Sequence, residues 1–207
     1  MDECFQGFEH VKRYWDGSRD KSVAKILPGE YYVTKNLELI TTVLGSCVAV
    51  CIRDEISKIG GMNHFMLPLQ NKNSSVTIGK TNLASRYGNW AMEHLINDII
   101  KFGGDKTRLE IKVFGGGAVM EENIVNNIGD KNIKFVNDYL KSENMVIAAQ
   151  DVGGKWARKV VFDPLTGEVL LKRFTEMHNQ TITSREQEYL KTIKSTDIDG
   201  EVELFND

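Results

Sequence analysis

The chain has 207 residues, of which 41% are apolar, and its 26 basic and 29 acidic side chains give a formal net charge of −3. This composition is typical of a globular protein, and a chain of this length can bury enough apolar surface to fold without disulfide bonds or a structural metal. The charges are interspersed and slightly acidic in balance, so nucleic-acid binding is not expected. The longest uncharged run, Leu39 to Ile52, is shorter than the roughly 20 residues of a membrane helix, which argues against membrane insertion.

The N-terminus and the cysteines indicate the compartment. The first residues are acidic and lack the basic and apolar regions of a secretory signal. Three cysteines, an odd number, fit a reducing environment better than a disulfide framework. We therefore expect a cytoplasmic protein, and the expected oligomeric state is a monomer.

Strands are predicted through most of the first third of the chain. Residues 1–26 are mixed and polar and are interpreted as an N-terminal extension. From Tyr31 onward, short β-rich runs are separated by turn residues, which is typical of strands. One strand is expected over Lys58–Leu67, where Gly60 and Gly61 indicate a bulge or a close approach of another backbone. The other predicted strands of this part are Tyr31–Thr34, Leu39–Val43 and Val48–Ile52.

Two helices are predicted in the middle of the chain. A polar loop is expected at residues 69–80. After it, apolar residues recur every three or four positions over Ala84–Ile99, and the pair Gly103–Gly104 ends this pattern. A second helix is expected over residues 133–140. The remaining predicted strands are Leu109–Phe114, Met145–Ala149, Arg158–Phe162 and Val169–Phe174.

The C-terminal residues turn polar again. Thr183 followed by Glu186 is a capping-box pattern, which predicts a short helix toward Ile193. A terminal strand is expected over Val202–Phe205. The chain is therefore predicted to form one α+β domain with additions at both ends. The predicted parts are an N-terminal extension at 1–26, the main domain at 27–175 and a C-terminal extension at 176–207 packed on that domain.

One cysteine and one histidine can be brought together by a predicted hairpin. Its turn is expected at residues 54–57, and centring the hairpin between Glu55 and Ile56 places Cys47 opposite His64. Directly opposed residues have Cβ atoms about 4.5–5.5 Å apart on one face of the sheet. A slip of one residue would place the two side chains on opposite faces.

A thiol beside an imidazole is a common catalytic pair. A neighbouring imidazolium lowers the cysteine pKa and raises the thiolate fraction, and the imidazole can then protonate a leaving group. The Gly45-Ser46 turn before Cys47 can aim backbone N–H groups at the oxyanion of a tetrahedral intermediate. The alternative interpretation is structural, with Cys47 as a small core residue and His64 as a packed, hydrogen-bonded side chain.

Other candidates have weaker patterns. Cys51 lies four residues beyond Cys47 on the same strand face and is interpreted as core. The Gly115–Gly117 run lacks the Lys-Ser/Thr continuation of a phosphate-binding loop, so a tight turn near the site is favoured. Arg158 is either a contact to substrate or partner or an ordinary surface charge. The cysteines and histidines have no zinc-binding spacing, so no metal is predicted.

Six segments combine into a specific signature. They are Thr41–Cys51, Gly60–Pro68, Val113–Ala118, Asn127–Gly129, Gln150–Gly154 and Arg158–Val160. Together they resemble the CheD family, the chemoreceptor glutamine deamidases of bacterial chemotaxis. The resemblance extends over about residues 27–175, and the two ends of the chain are similar to those of longer family members.

The resemblance implies roles for three of the matched residues. It makes Cys47 the nucleophile, His64 the general base and acid, and Thr41 the group that orients the imidazole. The candidate oxyanion and substrate-binding residues are Gly45, Ser46, Gly116, Gly117 and Arg158.

The resemblance also implies a fold and a substrate. The family fold is a layered β sandwich with helices packed on the outside, similar to bacterial toxin deamidases. The implied substrate is a glutamine side chain on the cytoplasmic domain of a methyl-accepting chemoreceptor, hydrolysed through a thioester without a cofactor. A non-catalytic chemotaxis adaptor that binds a receptor or a CheC-type phosphatase is an alternative, and a generic cysteine peptidase or transglutaminase is a third.

Overall fold

The part of the chain that the structure describes forms two five-stranded β-sheets and helices. A computed structural model describes residues 3–67, 83–119, 127–174, 184–189 and 191. The strands are β1 (Lys12–Asp16), β2 (Lys21–Lys25), β3 (Tyr31–Thr34), β4 (Glu38–Leu44), β5 (Val48–Asp54), β6 (Ile59–Asn63), β7 (Leu109–Gly115), β8 (Ile147–Val152), β9 (Ala157–Phe162) and β10 (Val169–Phe174). The helices are α1 (Leu83–Lys101) and α2 (Ile128–Ser142), and residues 184–189 are also helical; we call them the C-terminal helical segment.

The two sheets share one hydrophobic core. The first has the strand order β1-β2-β4-β9-β10 and the second β3-β6-β5-β7-β8. All seven residues of β5 are buried, because this strand is central in its sheet and covered on both faces. This position explains the continuous apolar run of its first five residues, Val48–Ile52. Helix α1 packs on β3 and β6, and α2 packs on α1 and β5. The predicted α+β class with layered sheets is confirmed.

Most predicted elements are present with small shifts of their ends. The predicted helix over Ala84–Ile99 corresponds to α1, and the one over residues 133–140 corresponds to α2. The helix predicted from the capping box agrees with the C-terminal helical segment, although Thr183 and Ile193 lie outside the described residues. The predicted loop at 69–80 and terminal strand at Val202–Phe205 also lie outside them. No described helix is both long and apolar enough to cross a lipid bilayer.

Strands β1 and β2 were not predicted. They form an antiparallel pair at the edge of the first sheet, and β2 continues into that sheet by pairing parallel to β4, with Val23 beside Leu39. The polar composition of β1 gives no strand pattern because β1 is an edge strand whose residues stay largely unburied. An edge strand of this kind has little apolar alternation to detect.

The β5–β6 hairpin has a different register from the predicted one. Cys51 pairs with Met62 and Val48 with Phe65, so paired residue numbers sum to 113 and the prediction that Cys47 lies directly opposite His64 is wrong. The turn is displaced because the Asp54 carboxylate accepts hydrogen bonds from the following backbone N–H groups and organises a turn centred one residue later.

The consequence for the candidate pair is small. The register differs by an even number of residues, so Cys47 and His64 still share one face of the sheet. They are diagonal rather than direct neighbours, a relation that places residues about 7–8 Å apart and Cβ atoms somewhat closer. No register irregularity is found at Gly60–Gly61 within the described β5–β6 ladder.

Candidate active site

Cys47 ends a tight turn that leads from the first sheet into the second. The three carbonyl groups of this turn are all held by neighbouring elements: the carbonyl of Gly45 by the Gly117 N–H (2.8 Å), that of Ser46 by the Asn132 side chain (2.8 Å) and that of Cys47 by the Gly116 N–H (2.7 Å). With the carbonyl groups fixed on one side, the three N–H groups of residues 45–47 converge on the other.

These three N–H groups form a nest that holds a carboxylate. Glu186, from the C-terminal helical segment, places one carboxylate oxygen against the N–H groups of Gly45 (3.0 Å) and Cys47 (3.1 Å). Its other oxygen accepts from the N–H (3.1 Å) and the hydroxyl (2.7 Å) of Ser46. Glu186 is in none of the ion pairs found among the described residues, and the four hydrogen bonds that it accepts here come from neutral donors.

His64 is held as a neutral imidazole. The ring is buried, and burial lowers its pKa to about 3. Its Nδ1 lies 2.7 Å from the hydroxyl oxygen of Thr42, which lies 2.9 Å from the carbonyl of Ile26. The Thr42 hydroxyl has one proton, and if it donates this proton to Ile26 it must accept from an Nδ1–H. This tautomer leaves Nε2 with a free lone pair, and Nε2 has no hydrogen-bond partner among the described residues.

Cys47 is a protonated thiol in this arrangement. The residue is fully buried, and burial raises the pKa of its thiol well above the usual value, with the negative charge of Glu186 raising it further. His64 is neutral, so there is no imidazolium to lower the thiol pKa as the sequence predicted. The structure therefore has the thiol and the imidazole in their uncharged forms, with a carboxylate beside the thiol.

Comparison with known proteins decides the family. The family model for CheD chemotactic sensory transduction matches residues 66–173. The chain is also 48% identical over 201 residues to the probable chemoreceptor glutamine deamidase CheD of Hahella chejuensis, covering 96% of this chain and 92% of the relative. The chain belongs to the CheD family. CheD proteins bearing the same name from Thiobacillus denitrificans (49% identity, 93% of this chain and 94% of the relative) and Saccharophagus degradans (46%, 96% and 92%) match similarly.

The threonine that contacts His64 in this CheD-family protein is Thr42, not the predicted Thr41. The Thr41 hydroxyl donates to the carbonyl of Val160 on the neighbouring strand β9 (2.8 Å). Successive residues of a strand point to opposite faces, so only one of two adjacent threonines can face the second sheet. The prediction of Thr41 as the partner of the imidazole is wrong.

Gly116 and Gly117 contact the carbonyl side of the turn at residues 45–47, opposite the N–H groups that hold the carboxylate. Their N–H groups bond to the turn carbonyls described above, so the prediction that they contact substrate is not supported. Gly115 and Gly116 have φ values of 112° and 68°, which favour glycine, and this confirms the predicted tight turn near the site.

Arg158 is buried, and neither predicted role fits it. Its guanidinium, 1% exposed, pairs with Asp151 (2.6 Å) and donates to the carbonyl groups of Gly153 (2.5 Å) and Trp156 (3.3 Å). These contacts fix the connection between β8 and β9, so Arg158 is neither a surface charge nor available to a substrate. The sequence favoured an exposed position for Arg158 because lysine and arginine are rarely buried unless they are paired.

Two residues of the site were missed by the sequence analysis. Thr42 is adjacent to the predicted Thr41, and strand alternation with the correct register would have found it. Glu186 was identified only as part of a helix cap, and it reaches the turn from about 140 positions away along the chain. A short-range pattern contains no signal for such a contact. The described residues contain no group of three or more His, Cys, Asp or Glu side chains arranged to hold a metal ion.

Proposed function

We propose that this CheD-family protein hydrolyses the side-chain amides of glutamine residues on methyl-accepting chemoreceptors, giving glutamate and ammonia. The observation that carries the proposal is the nest of N–H groups at residues 45–47, which holds the side-chain carboxylate of a glutamate next to the Cys47 thiol. A glutamate side chain is the product of this reaction. The names of the relatives point to the same reaction and substrate.

In the first half of the proposed reaction, Cys47 forms a thioester. The thiol proton moves to the free Nε2 of His64, and the sulfur attacks the carboxamide carbon. The carbonyl oxygen, now negative, accepts hydrogen bonds from the backbone N–H groups of Gly45 and Cys47. The C–N bond then breaks, and the imidazolium returns its proton to the leaving nitrogen, which departs as ammonia.

In the second half, water releases the product. The neutral His64 removes a proton from water, and the resulting hydroxide attacks the thioester carbon in the same nest. The C–S bond breaks, the sulfur recovers a proton from the imidazolium, and the side chain leaves as a carboxylic acid, which loses its proton to solvent and becomes glutamate. All the atoms are supplied by the amide, one water molecule and the two side chains, so the proposed reaction uses no cofactor.

The proposal places the protein in the cytoplasm, where the signalling domains of chemoreceptors lie, and treats it as a monomer. Residues 27–175 are proposed as the catalytic domain, with the C-terminal extension packed on it. A CheC-type phosphatase is a further proposed partner, because an acidic or amide side chain of a binding protein would fit the same nest. If such binding were the whole function, the protein would be an adaptor rather than an enzyme.

A mass-shift assay tests the proposed function. The full-length protein is incubated with a receptor cytoplasmic fragment, and receptor peptides are followed by mass spectrometry together with ammonia release. We expect a gain of about one dalton at glutamine residues. Unchanged masses alongside measurable binding would favour the adaptor, and a cut receptor backbone would favour a peptidase.

Replacing Thr42 by valine is expected to slow deamidation by about tenfold to a hundredfold, because His64 loses the contact that fixes its tautomer and orientation. Valine keeps the shape of threonine, so kcat should fall more than KM rises. Thr41→Val is the matched control: it removes an adjacent hydroxyl that bonds to Val160 and should retain nearly full activity. Equal effects of the two substitutions would contradict the assignment of Thr42.

A further inference from the structure

We infer that the C-terminal helical segment is a tethered product analogue, which seats Glu186 where the side chain of a deamidated glutamine is released and so inhibits the enzyme until a receptor helix displaces it. This inference rests on the proposed function of the site and adds an internal regulator to it. The ligand class is a glutamate or glutamine side chain presented from a helix.

The four hydrogen bonds to Glu186 define the orientation of such a ligand. The carboxylate oxygen between the N–H groups of Gly45 and Cys47 occupies the position of a carbonyl oxygen that becomes the oxyanion. The second oxygen, at Ser46, occupies the position of the departing nitrogen and of the incoming water oxygen. Each position of the reacting carboxyl group is thus matched by an atom of Glu186.

The same contacts favour an acid over an amide. A carboxylate accepts from all four donors, including the N–H of Ser46. A carboxamide in the same orientation would present its NH₂ group to that N–H, donor against donor, and would lose this bond. The nest therefore retains a glutamate more tightly than a glutamine, which is the behaviour required of an internal product analogue.

Few of the segment's described side chains are buried, so little burial is lost when it is displaced. Of its described side chains, Glu186 is buried and Tyr189 is half-buried, while those of residues 184, 185, 187 and 188 are exposed. Glu186 and Tyr189 are three positions apart and lie on one face of the helix. Tyr189 lies against Gly29 and its hydroxyl contacts that of Tyr87, which gives the segment a second fixed point.

Seating Glu186 closes the site. Cys47 and His64 are 0% and 1% exposed, so a receptor side chain cannot reach them while the segment is in place. Together with Thr42, Arg185 and Glu186, His64 lines a pocket beneath the segment. When the segment leaves, it removes both cover and a negative charge from beside the thiol, and both changes lower the pKa of Cys47. Displacement by a receptor would thus open the site and activate the nucleophile in one step.

The test measures access to Cys47 without relying on deamidation. Full-length wild-type protein, Glu186→Ala and Gln187→Ala are treated with iodoacetamide, and alkylation of Cys47 is followed by peptide mass spectrometry. We expect at least a tenfold faster reaction in Glu186→Ala. Gln187 is an exposed neighbour in the same segment, so Gln187→Ala is the matched control and should react like wild type. Tyr189→Ala, which loosens the segment but keeps Glu186, should also react faster.

The receptor assay separates this inference from the proposed function. Faster alkylation in Glu186→Ala together with faster receptor deamidation supports both. Faster alkylation with no deamidation by any variant supports the tethered segment and refutes the deamidase. Unchanged alkylation of Cys47 in both Glu186→Ala and Tyr189→Ala overturns the tethered analogue, whatever the receptor assay gives.

A substitution to glutamine provides a second and independent readout. In Glu186→Gln the introduced carboxamide lies in the nest beside Cys47, and the enzyme should hydrolyse it in cis. The purified variant is then expected to have the mass of the wild type, whereas the double variant Glu186→Gln, Cys47→Ala should keep the amide. Retention of the amide in the single variant, with receptor deamidation intact, would show that Glu186 does not occupy the product position.

Discussion

Replacing Cys47 by alanine is expected to abolish deamidation of a receptor fragment, with a loss of roughly a thousandfold or more in kcat/KM. Alanine has no lone pair that can attack the amide carbon, and no other described cysteine can substitute for it, since Cys4 lies elsewhere in the fold and Cys51 is buried in the core of the second sheet. The measurement is the rate of ammonia release together with the mass shift of receptor peptides.

The matched control is Cys51→Ala. Cys51 is as buried as Cys47 but lies further along β5, opposite Met62, and plays no part in the proposed reaction. This variant should keep its activity and lose about 1–2 kcal/mol of unfolding free energy through the small cavity left in the core. Wild-type turnover by Cys47→Ala would contradict the thioester route, whether or not the variant binds the receptor.

The sequence predicted the local features of this protein well. The continuous apolar run of β5 and the three- and four-residue spacing of α1 are determined by neighbours along the chain, and both elements are present. The shared face of Cys47 and His64 was also predictable, because face depends only on whether the register is odd or even. The direct pairing was not, because the turn is centred by the side chain of Asp54.

Features that depend on long-range contacts were not accessible from sequence. The burial of Arg158 follows from a partner on β8 and from two backbone carbonyl groups of the connecting loop. The choice between Thr41 and Thr42 depends on which face of β4 meets the second sheet. Glu186 reaches the turn at residues 45–47 from about 140 positions away along the chain, and a capping-box pattern describes only its local environment.

The substitution His64→Asn is expected to reduce deamidation by about a hundredfold to ten-thousandfold, because it removes the group that accepts and returns the proton. Asparagine can place an N–H donor near the position of Nδ1 and keep the contact with Thr42, but it has no atom equivalent to the free Nε2. The variant should therefore fold and bind receptor while losing proton transfer. Receptor binding, measured in parallel with turnover, separates these two effects.

The same variant should also change how stability depends on pH. Burial lowers the pKa of His64 to about 3 in the folded protein, whereas an unfolded chain has a histidine pKa of about 6.5. Between these pH values the imidazole is protonated in the unfolded state but not in the folded state. The contribution of His64 to the unfolding free energy is therefore fully present above about pH 6.5 and is lost as the pH falls toward 3.

Denaturant titrations at pH 7 and pH 5 measure this contribution. Because the slope approaches about 1.4 kcal/mol per pH unit within the window, wild type should lose about 2 kcal/mol more than His64→Asn between the two pH values. All other titrating groups are common to both proteins and cancel in the comparison. Equal losses would mean that the imidazole takes up its proton in the folded state near its ordinary pKa. His64 would then be charged at moderately acid pH, and a neutral general base with a free Nε2 could not be its resting form.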